Sequence, residues 1–494
     1  MSAPAASDKD IAMNERKPLG RLAARGALIT MGGQGCKILL QFGGIIILAR
    51  LLSPSDYGLL AMVIAVVGIG EVLRDFGLSS AAIQASSVSA AQRSNLFWIN
   101  SVIGLALAVT VFAAAPWIAV FYGQPLLEPI AQVLALTFLL NGLATQFRAQ
   151  LNRDMRFGRL AVVEIAGQAV GLAAGVVLAL RGHGYWALVA QQLSHALTML
   201  VLFAALSGWL PGLPRRGAGM GSFLRYGWNL MLTQLIGYLS RNVDALIIGQ
   251  RFGAEALGLY NRAYQILMLP LNQINAPATT IALPVLSRLQ AEPGRYNAFL
   301  LHGQAALLHL VVAVFAFACA QAEPLILLVL GPQWAEAVPI FQLLAIGGAF
   351  QAASYASYWV FLSKGLTGSQ LRYVMLTRVV IIAAILLGSR WGVLGVAAAY
   401  TASLGFKWLA GLYWIRDSGA PVGNMLRNGL HLLVGYGLCG AASMFATAWL
   451  DVSMPMQLSV GAAAMLVAFG LLCVVWPAFR ESVSAVIRSR SLLR

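Results

Sequence analysis

Residues 25–60 read RGALITMGGQGCKILLQFGGIIILARLLSPSDYGLL, an apolar run carrying Thr30, Gln34, Lys37 and Gln41 and closing on the turn Ser53-Pro54-Ser55-Asp56-Tyr57-Gly58. The four polar residues recur every three or four positions, so a helix places them on one stripe. The segment is long enough to cross a bilayer, yet it holds an ammonium near its middle. A lipid-facing charge there costs about 2.5–3.5 kcal/mol on insertion scales, so Lys37 must face protein or water.

The pattern returns two hundred residues on, from Arg225 to Tyr260. Arg25, Met31, Gln34, Ile47 and Gly58-Leu59 are matched by Arg225, Met231, Gln234, Ile247 and Gly258-Leu259, and Gln41 is met by Arg241. Two related halves are expected.

Composition sets the class. Of 494 residues 59% are hydrophobic and 10% charged, and the mean hydropathy is +0.77. A soluble domain with a polar surface is excluded, and the expectation is an all-α polytopic membrane protein. The polar N-terminal tail, 1–24, has no small-residue cleavage site after a short apolar core, so no cleaved signal peptide is expected. Apolar windows of roughly 20 residues predict about fourteen transmembrane helices, including 222–250, 257–287 and a long stretch, 297–330, broken by Glu323-Pro324.

Charge placement orients these spans. One side collects Lys9, Arg16, Lys17 and Arg21, the arginines between Arg148 and Arg159, Arg215, Arg216, and Arg480, Arg488, Arg490 and Arg494, whereas the other keeps Arg50, Arg181, Arg251 and Arg390. By the positive-inside rule both termini are cytoplasmic. The net charge of +16 then reports topology and contact with anionic membrane lipids, not nucleic-acid binding.

An even number of crossings separates the two repeats, so both halves point the same way. The expected plan is two pseudo-symmetric six-helix lobes, 25–208 and 222–416, joined by a Gly/Pro-rich cytoplasmic linker at 209–221. Two additional helices follow within 427–477, then a cytoplasmic tail, 478–494.

Every loop is short. A membrane-embedded glycan polymerase or ligase would need a sizeable external loop, and none is left over. No HExxH, paired CxxC or nucleophile elbow is present. The run Met31 to Lys37 lacks phosphate-loop spacing and reads as close helix packing by small residues. Cys36, Cys319, Cys439 and Cys473 are scattered, with no disulfide expected, and the dispersed histidines, His302 and His309 among them, read as packing residues without a metal site.

The intramembrane charges carry the functional argument. Lys37, Arg241, Arg262, Arg378 and Lys407 would cost over ~12 kcal/mol together in lipid, so they must be paired or gathered somewhere wet. Arg241 and Asp244, three apart, form either a structural pair or a coupling site. Lys37, Arg378 and Lys407 have no evident intramembrane acid, because Glu164 reads as interfacial. The expected cationic cavity is lined as well by Gln34, Gln41, Gln234, Gln265 and Asn272. Pro270, Pro277 and Pro284 recur every seven residues in the eighth span and mark a hinge.

Five motifs carry a resemblance: Ala49 to Leu59 (ARLLSPSDYGL), Asp75 to Gln84 (DFGLSSAAIQ), Gly184 to Val189 (GYWALV), Leu257 to Tyr264 (LGLYNRAY) and Leu283 to Gln290 (LPVLSRLQ). They resemble the polysaccharide transporter family, the Wzx-like oligosaccharide flippases of the MOP exporter superfamily, which also holds MATE antiporters and peptidoglycan lipid flippases. The resemblance runs from about residue 20 to 420 and is specific up to 290. It implies a MATE-like pair of lobes and transport of polyprenyl-diphosphate-linked oligosaccharide across the bacterial inner membrane for exopolysaccharide, capsule or O-antigen synthesis. No catalysis and no cofactor are expected beyond a proton or sodium gradient, for which Asp244, the deepest acid, is the coupling candidate. Other polysaccharide assembly proteins are the expected partners. The competing reading is a small-cation antiporter, which would be expected to bring more acid than base into its interior.

Overall fold

The computed structural model describes residues 32–75, 78, 88–217 and 220–488. The tail 1–24, the start of the first span with Arg25 and Thr30, most of the Asp75–Gln84 motif, and Arg490 and Arg494 lie outside the described residues, as do some side chains of Gly221–Arg288. The helices are α1 (Gly32–Leu51), α2 (Pro54–Asp75), α3 (Ala90–Tyr122), α4 (Leu127–Arg153), α5 (Phe157–Leu180), α6 (Trp186–Ser207), α7 (Gly221–Arg288), α8 (Pro293–Ala320), α9 (Ala322–Val329), α10 (Ala337–Ser363), α11 (Thr367–Gly388), α12 (Gly392–Trp414), α13 (Val422–Thr447), α14 (Met454–Val475) and α15 (Pro477–Arg488). Among the described residues there is no strand.

Among the described residues eleven stretches are long and apolar enough to cross a membrane, one of them, Thr367–Ser418, holding both α11 and α12. α7 is too polar to count among them. The expected number of fourteen is therefore not established by length and apolarity alone. α7 is two helices that break at Gly253, whose φ of 83° and ψ of −175° only glycine adopts without strain. That break falls between the expected spans 222–250 and 257–287. The expected break at Glu323-Pro324 appears as the boundary between α8 and α9.

The chain forms two compact units, residues 1–242 and 243–494. In the first unit α3 packs on α4, α5 on α6, α4 on α6, and α2 on α3 and α4. Gly167, Gly171 and Gly175 let α5 approach α6 closely: a Cβ on Gly171 would sit 2.9 Å from the Gln191 carbonyl oxygen. The turn after α1 is a reciprocal cap. Ser53 donates from its amide and hydroxyl to Asp56 (2.9 and 2.7 Å), and the Asp56 amide donates back to the Ser53 hydroxyl at 3.2 Å. Gly184, at φ 51°, leaves room for that same Asp56 carboxylate. Two of the family-like motifs thus meet as structural turns.

In the second unit α10 packs on α8 and α12, α11 on α12, and α13 on α8 and α14. Trp359 of α10 donates to Thr279 of α7 at 3.0 Å. Gln321, at the α8–α9 break, donates from Nε2 to the Ser443 carbonyl and to the hydroxyls of Ser443 and Thr447 at 3.0–3.1 Å, so the donor end of a buried amide is satisfied by α13. Between spans, Lys364 donates to the Ser418 carbonyl and lies over the Tyr296 ring, and partial burial pulls its ammonium below the usual lysine pKa.

The segment expected only as a tail holds α15. Its Phe479 is wholly buried, stacks on Trp476 and meets Tyr436 and Phe469 edge-on. His309 of α8 exchanges hydrogen bonds with the Tyr436 hydroxyl (2.8 Å) and the Ser482 hydroxyl (3.0 Å), which fixes α15 to α8 and α13. Phe479→Ala should cost about 3–5 kcal/mol and release α15. Limited proteolysis should then cut after Val475 at protease levels that leave the parent intact; unchanged resistance would show that α15 is held without this ring.

Candidate functional site

Asp244 sits before the Gly253 break and Tyr260 after it, so the reversal of the chain brings residues 16 apart face to face. The Tyr260 hydroxyl donates to Asp244 Oδ2 at 2.9 Å, and the Ala245 amide donates to Oδ1 at 2.9 Å. Asp244 is only 8% exposed, which makes those two donors the terms that offset its burial. Tyr260 stacks on Tyr264 at 6.3 Å between ring centroids, and Tyr264 meets Tyr400 of α12 edge-on at 6.1 Å. The charges of Asp244 and of Arg378, on α11, both reach Tyr400.

Seven residues past Tyr400, two turns along the same face, is Lys407, and the charge of Arg378 reaches it too. The half-buried Lys407 ammonium has no hydrogen-bond or ion-pair partner among the described residues. Three elements of the second unit therefore bring together one buried carboxylate, three phenols and two cations. The like charge of Arg378 disfavours the Lys407 ammonium, which an anion at this place would stabilise.

The first unit holds a second cluster. Lys37 Nζ lies 3.2 Å from Glu164 Oε2, and Arg148 Nη2 lies 2.9 Å from Glu164 Oε1. The expectation that Lys37 lacks an acid of its own is therefore corrected. Glu164 is seven residues inside α5, deep enough to meet a residue of α1 across the helix contact. It is shared between two cations, which leaves one positive charge in surplus. His195 of α6 feels both Lys37 and Glu164.

The remaining predicted residues are placed singly. Arg262 donates to Gln265 at 2.5 Å; Gln34 and Gln234 are exposed, and Gln41 is half-buried. The side chains of Arg241, Asn272 and Pro270 lie outside the described residues, so the expected Arg241–Asp244 pair lies there too. The helix is continuous through Pro270, Pro277 and Pro284, the non-helical residue inside α7 being Gly253. Among the described residues no group of three metal-ligating side chains comes together.

Sequence reasoning missed Tyr260, Tyr264, Tyr400, Arg148 and His195. The first two stood in the Leu257–Tyr264 motif, where an aromatic every fourth residue inside a charged apolar span was the available signal.

Residues 47–339 match the family described as Polysaccharide biosynthesis protein. The chain is 26% identical over 374 residues to the lipopolysaccharide biosynthesis protein WzxC of Escherichia coli K12, covering 73% of each. It is 28% identical over 297 residues to the teichuronic acid biosynthesis protein TuaB of Bacillus subtilis 168, covering 60% of this chain and 62% of that one. The fold matches the lipid II flippase MurJ in an inward closed conformation, with a TM-score of 0.70, 13% identity, and coverage of 94% of this chain and all of the other. That likeness establishes a shared polytopic transporter fold.

Proposed function

The chain belongs to the polysaccharide biosynthesis protein family, a multi-pass membrane transporter and not an enzyme, and from that premise we propose that it moves polyprenyl-diphosphate-linked oligosaccharide across the bacterial inner membrane by alternating access, both termini facing the cytoplasm. The observation that carries this reading is the Lys407 ammonium, which has no hydrogen-bond or ion-pair partner among the described residues and lies in the field of Arg378, where a diphosphate would supply the acid it lacks. Guanidinium and ammonium groups bind phosphate oxygens by charge-assisted hydrogen bonds, the stronger kind.

Lys37 and Arg148 extend the cationic lining in the first unit, where Glu164 holds them until the substrate's own negative charge competes for them. Arg241 and Arg262 complete the proposed set, and Gln34, Gln41, Gln234, Gln265 and Asn272 would contact the glycan. A small-cation antiporter would be served poorly by so basic an interior.

The test is translocation of lipid-linked oligosaccharide in proteoliposomes, read as glycan appearing at the far leaflet. Lys37→Ala and Arg241→Ala should each slow it by about tenfold or more, one charge-assisted contact being about 1.5–3 kcal/mol; rates equal to the parent would reject the cationic cavity. Asp244 is proposed to couple transport to a proton or sodium gradient, with Tyr260 as its gate. Asp244→Asn can still accept from the Ala245 amide and pair with Tyr260 through an Nδ2–H donated to the phenol oxygen, and it should leave the protein folded while removing the response to an imposed gradient. A full response in that variant would remove Asp244 from the coupling role. The hinge proposed at Pro270, Pro277 and Pro284 predicts slower cycling in Pro277→Ala, and unchanged rates would count against it.

A further inference from the structure

Two cavities of the second unit share a wall. The larger, 830 Å³, is a groove between α11 and α12 lined by small and apolar side chains, among them Ala384, Gly388, Gly395, Ala399, Ala402 and Phe406. The smaller, 520 Å³, includes Glu255, Glu336 and Pro339, and both cavities include Trp391 and Leu394. Trp391 is 68% exposed.

The smaller cavity is built where three connections meet at one end of the unit: the Gly253 break of α7, the α9–α10 turn and the α11–α12 turn. An exposed tryptophan at such an end marks headgroup depth in a membrane protein. From Leu394 to Phe406 the groove follows about 18 Å of helix axis at 1.5 Å per residue, comparable to one leaflet of a core roughly 30 Å thick. The two cavities together have the shape of one membrane lipid, head at the connections and tail along α12.

The charges say which head. Glu255 and Glu336 are exposed, and neither has a hydrogen-bond or ion-pair partner among the described residues. Cations stand at the same end: Arg251 donates to the Ser389 hydroxyl at 2.6 Å, and Arg390 is exposed next to Trp391. A rim with two carboxylates repels a diphosphate head, which separates this site from the cationic clusters above. It complements a zwitterion whose amine can donate hydrogen bonds. We infer that the α11–α12 groove and the Glu255/Glu336 cavity form a binding site for an aminophospholipid, phosphatidylethanolamine, its ammonium at the two carboxylates, its phosphate toward Arg251 and Arg390, and one acyl chain in the groove. A quaternary ammonium head lacks the N–H donors, and phosphatidylglycerol lacks the cation.

The test is native mass spectrometry of the purified full-length protein offered equal amounts of phosphatidylethanolamine, phosphatidylcholine and phosphatidylglycerol. Phosphatidylethanolamine adducts should exceed each of the others by about tenfold, the worth of one charge-assisted hydrogen bond. Glu255→Gln with Glu336→Gln should bring them down to the phosphatidylcholine level. Ala402→Phe fills the groove with the carboxylates intact and should lower them as well, which keeps the test decisive if the double variant is unstable. Equal retention of the three lipids, a preference for phosphatidylglycerol, a preference unmoved by either variant, or displacement by added polyprenyl diphosphate would each overturn the assignment.

Discussion

In proteoliposomes the Arg378→Ala, Lys407→Ala double variant is expected to translocate polyprenyl-diphosphate-linked oligosaccharide about a hundredfold to ten-thousandfold more slowly than the parent. Each cation is assigned one charge-assisted contact with the headgroup, worth about 1.5–3 kcal/mol, and a tenfold change in rate corresponds to about 1.4 kcal/mol. The mutual electrostatic effect of Arg378 and Lys407 gives the loss a signature. Lys407→Ala removes a like charge from the field of Arg378 and leaves no partner behind among the described residues, so it should melt no lower than the parent while transporting less. Lys407→Arg should retain most of the rate because it keeps the charge. A double variant that transports at the parental rate would show that the headgroup passes elsewhere.

Gly395→Ala is expected to be the most damaging single methyl in the second unit. A Cβ there would lie 2.2 Å from the Gly388 carbonyl oxygen and 2.8 Å from Trp391 Cβ. The nearest of these is backbone, so it cannot rotate away, and the α11–α12 hairpin would have to open. Overpacking commonly costs about 1–3 kcal/mol and more where backbone must shift. The variant should lose its monodisperse elution or melt many degrees lower. Gly470→Ala is the matched control: a Cβ there meets nothing within 4 Å, so its melting temperature should stay level or rise with helix propensity. If Gly395→Ala melts with Gly470→Ala, the two helices are not held in the close contact described.

What the residues disclosed in advance follows from which signals are local. Span positions were legible because twenty apolar residues in a row are a local property, and so was the break in α8–α9 at Glu323-Pro324. The turn at Ser53 to Gly58 was legible because a serine, a proline and an aspartate in that order begin a helix. Pairings between helices were not. Lys37 and Glu164 are 127 positions apart, and a polar stripe on one helix does not say which other helix it faces. The same blindness hid Tyr400 beside Tyr264. The three prolines of α7 drew the hinge expectation ahead of Gly253, the residue at which the helix breaks, because proline is the familiar breaker and a glycine in a membrane helix more often marks close packing. α15 escaped notice for its brevity: twelve residues cannot span a bilayer, and their amphipathic character was masked by the arginines that marked a tail.

The central claim is that the cations inside the membrane serve an anionic headgroup. It is tested most directly by offering the reconstituted wild-type protein the same oligosaccharide on two carriers, polyprenyl diphosphate and the uncharged polyprenyl alcohol, and measuring glycan arriving at the far leaflet. The account predicts transfer of the diphosphate-linked form with the uncharged form at the level of protein-free vesicles. Equal transfer of both would contradict it.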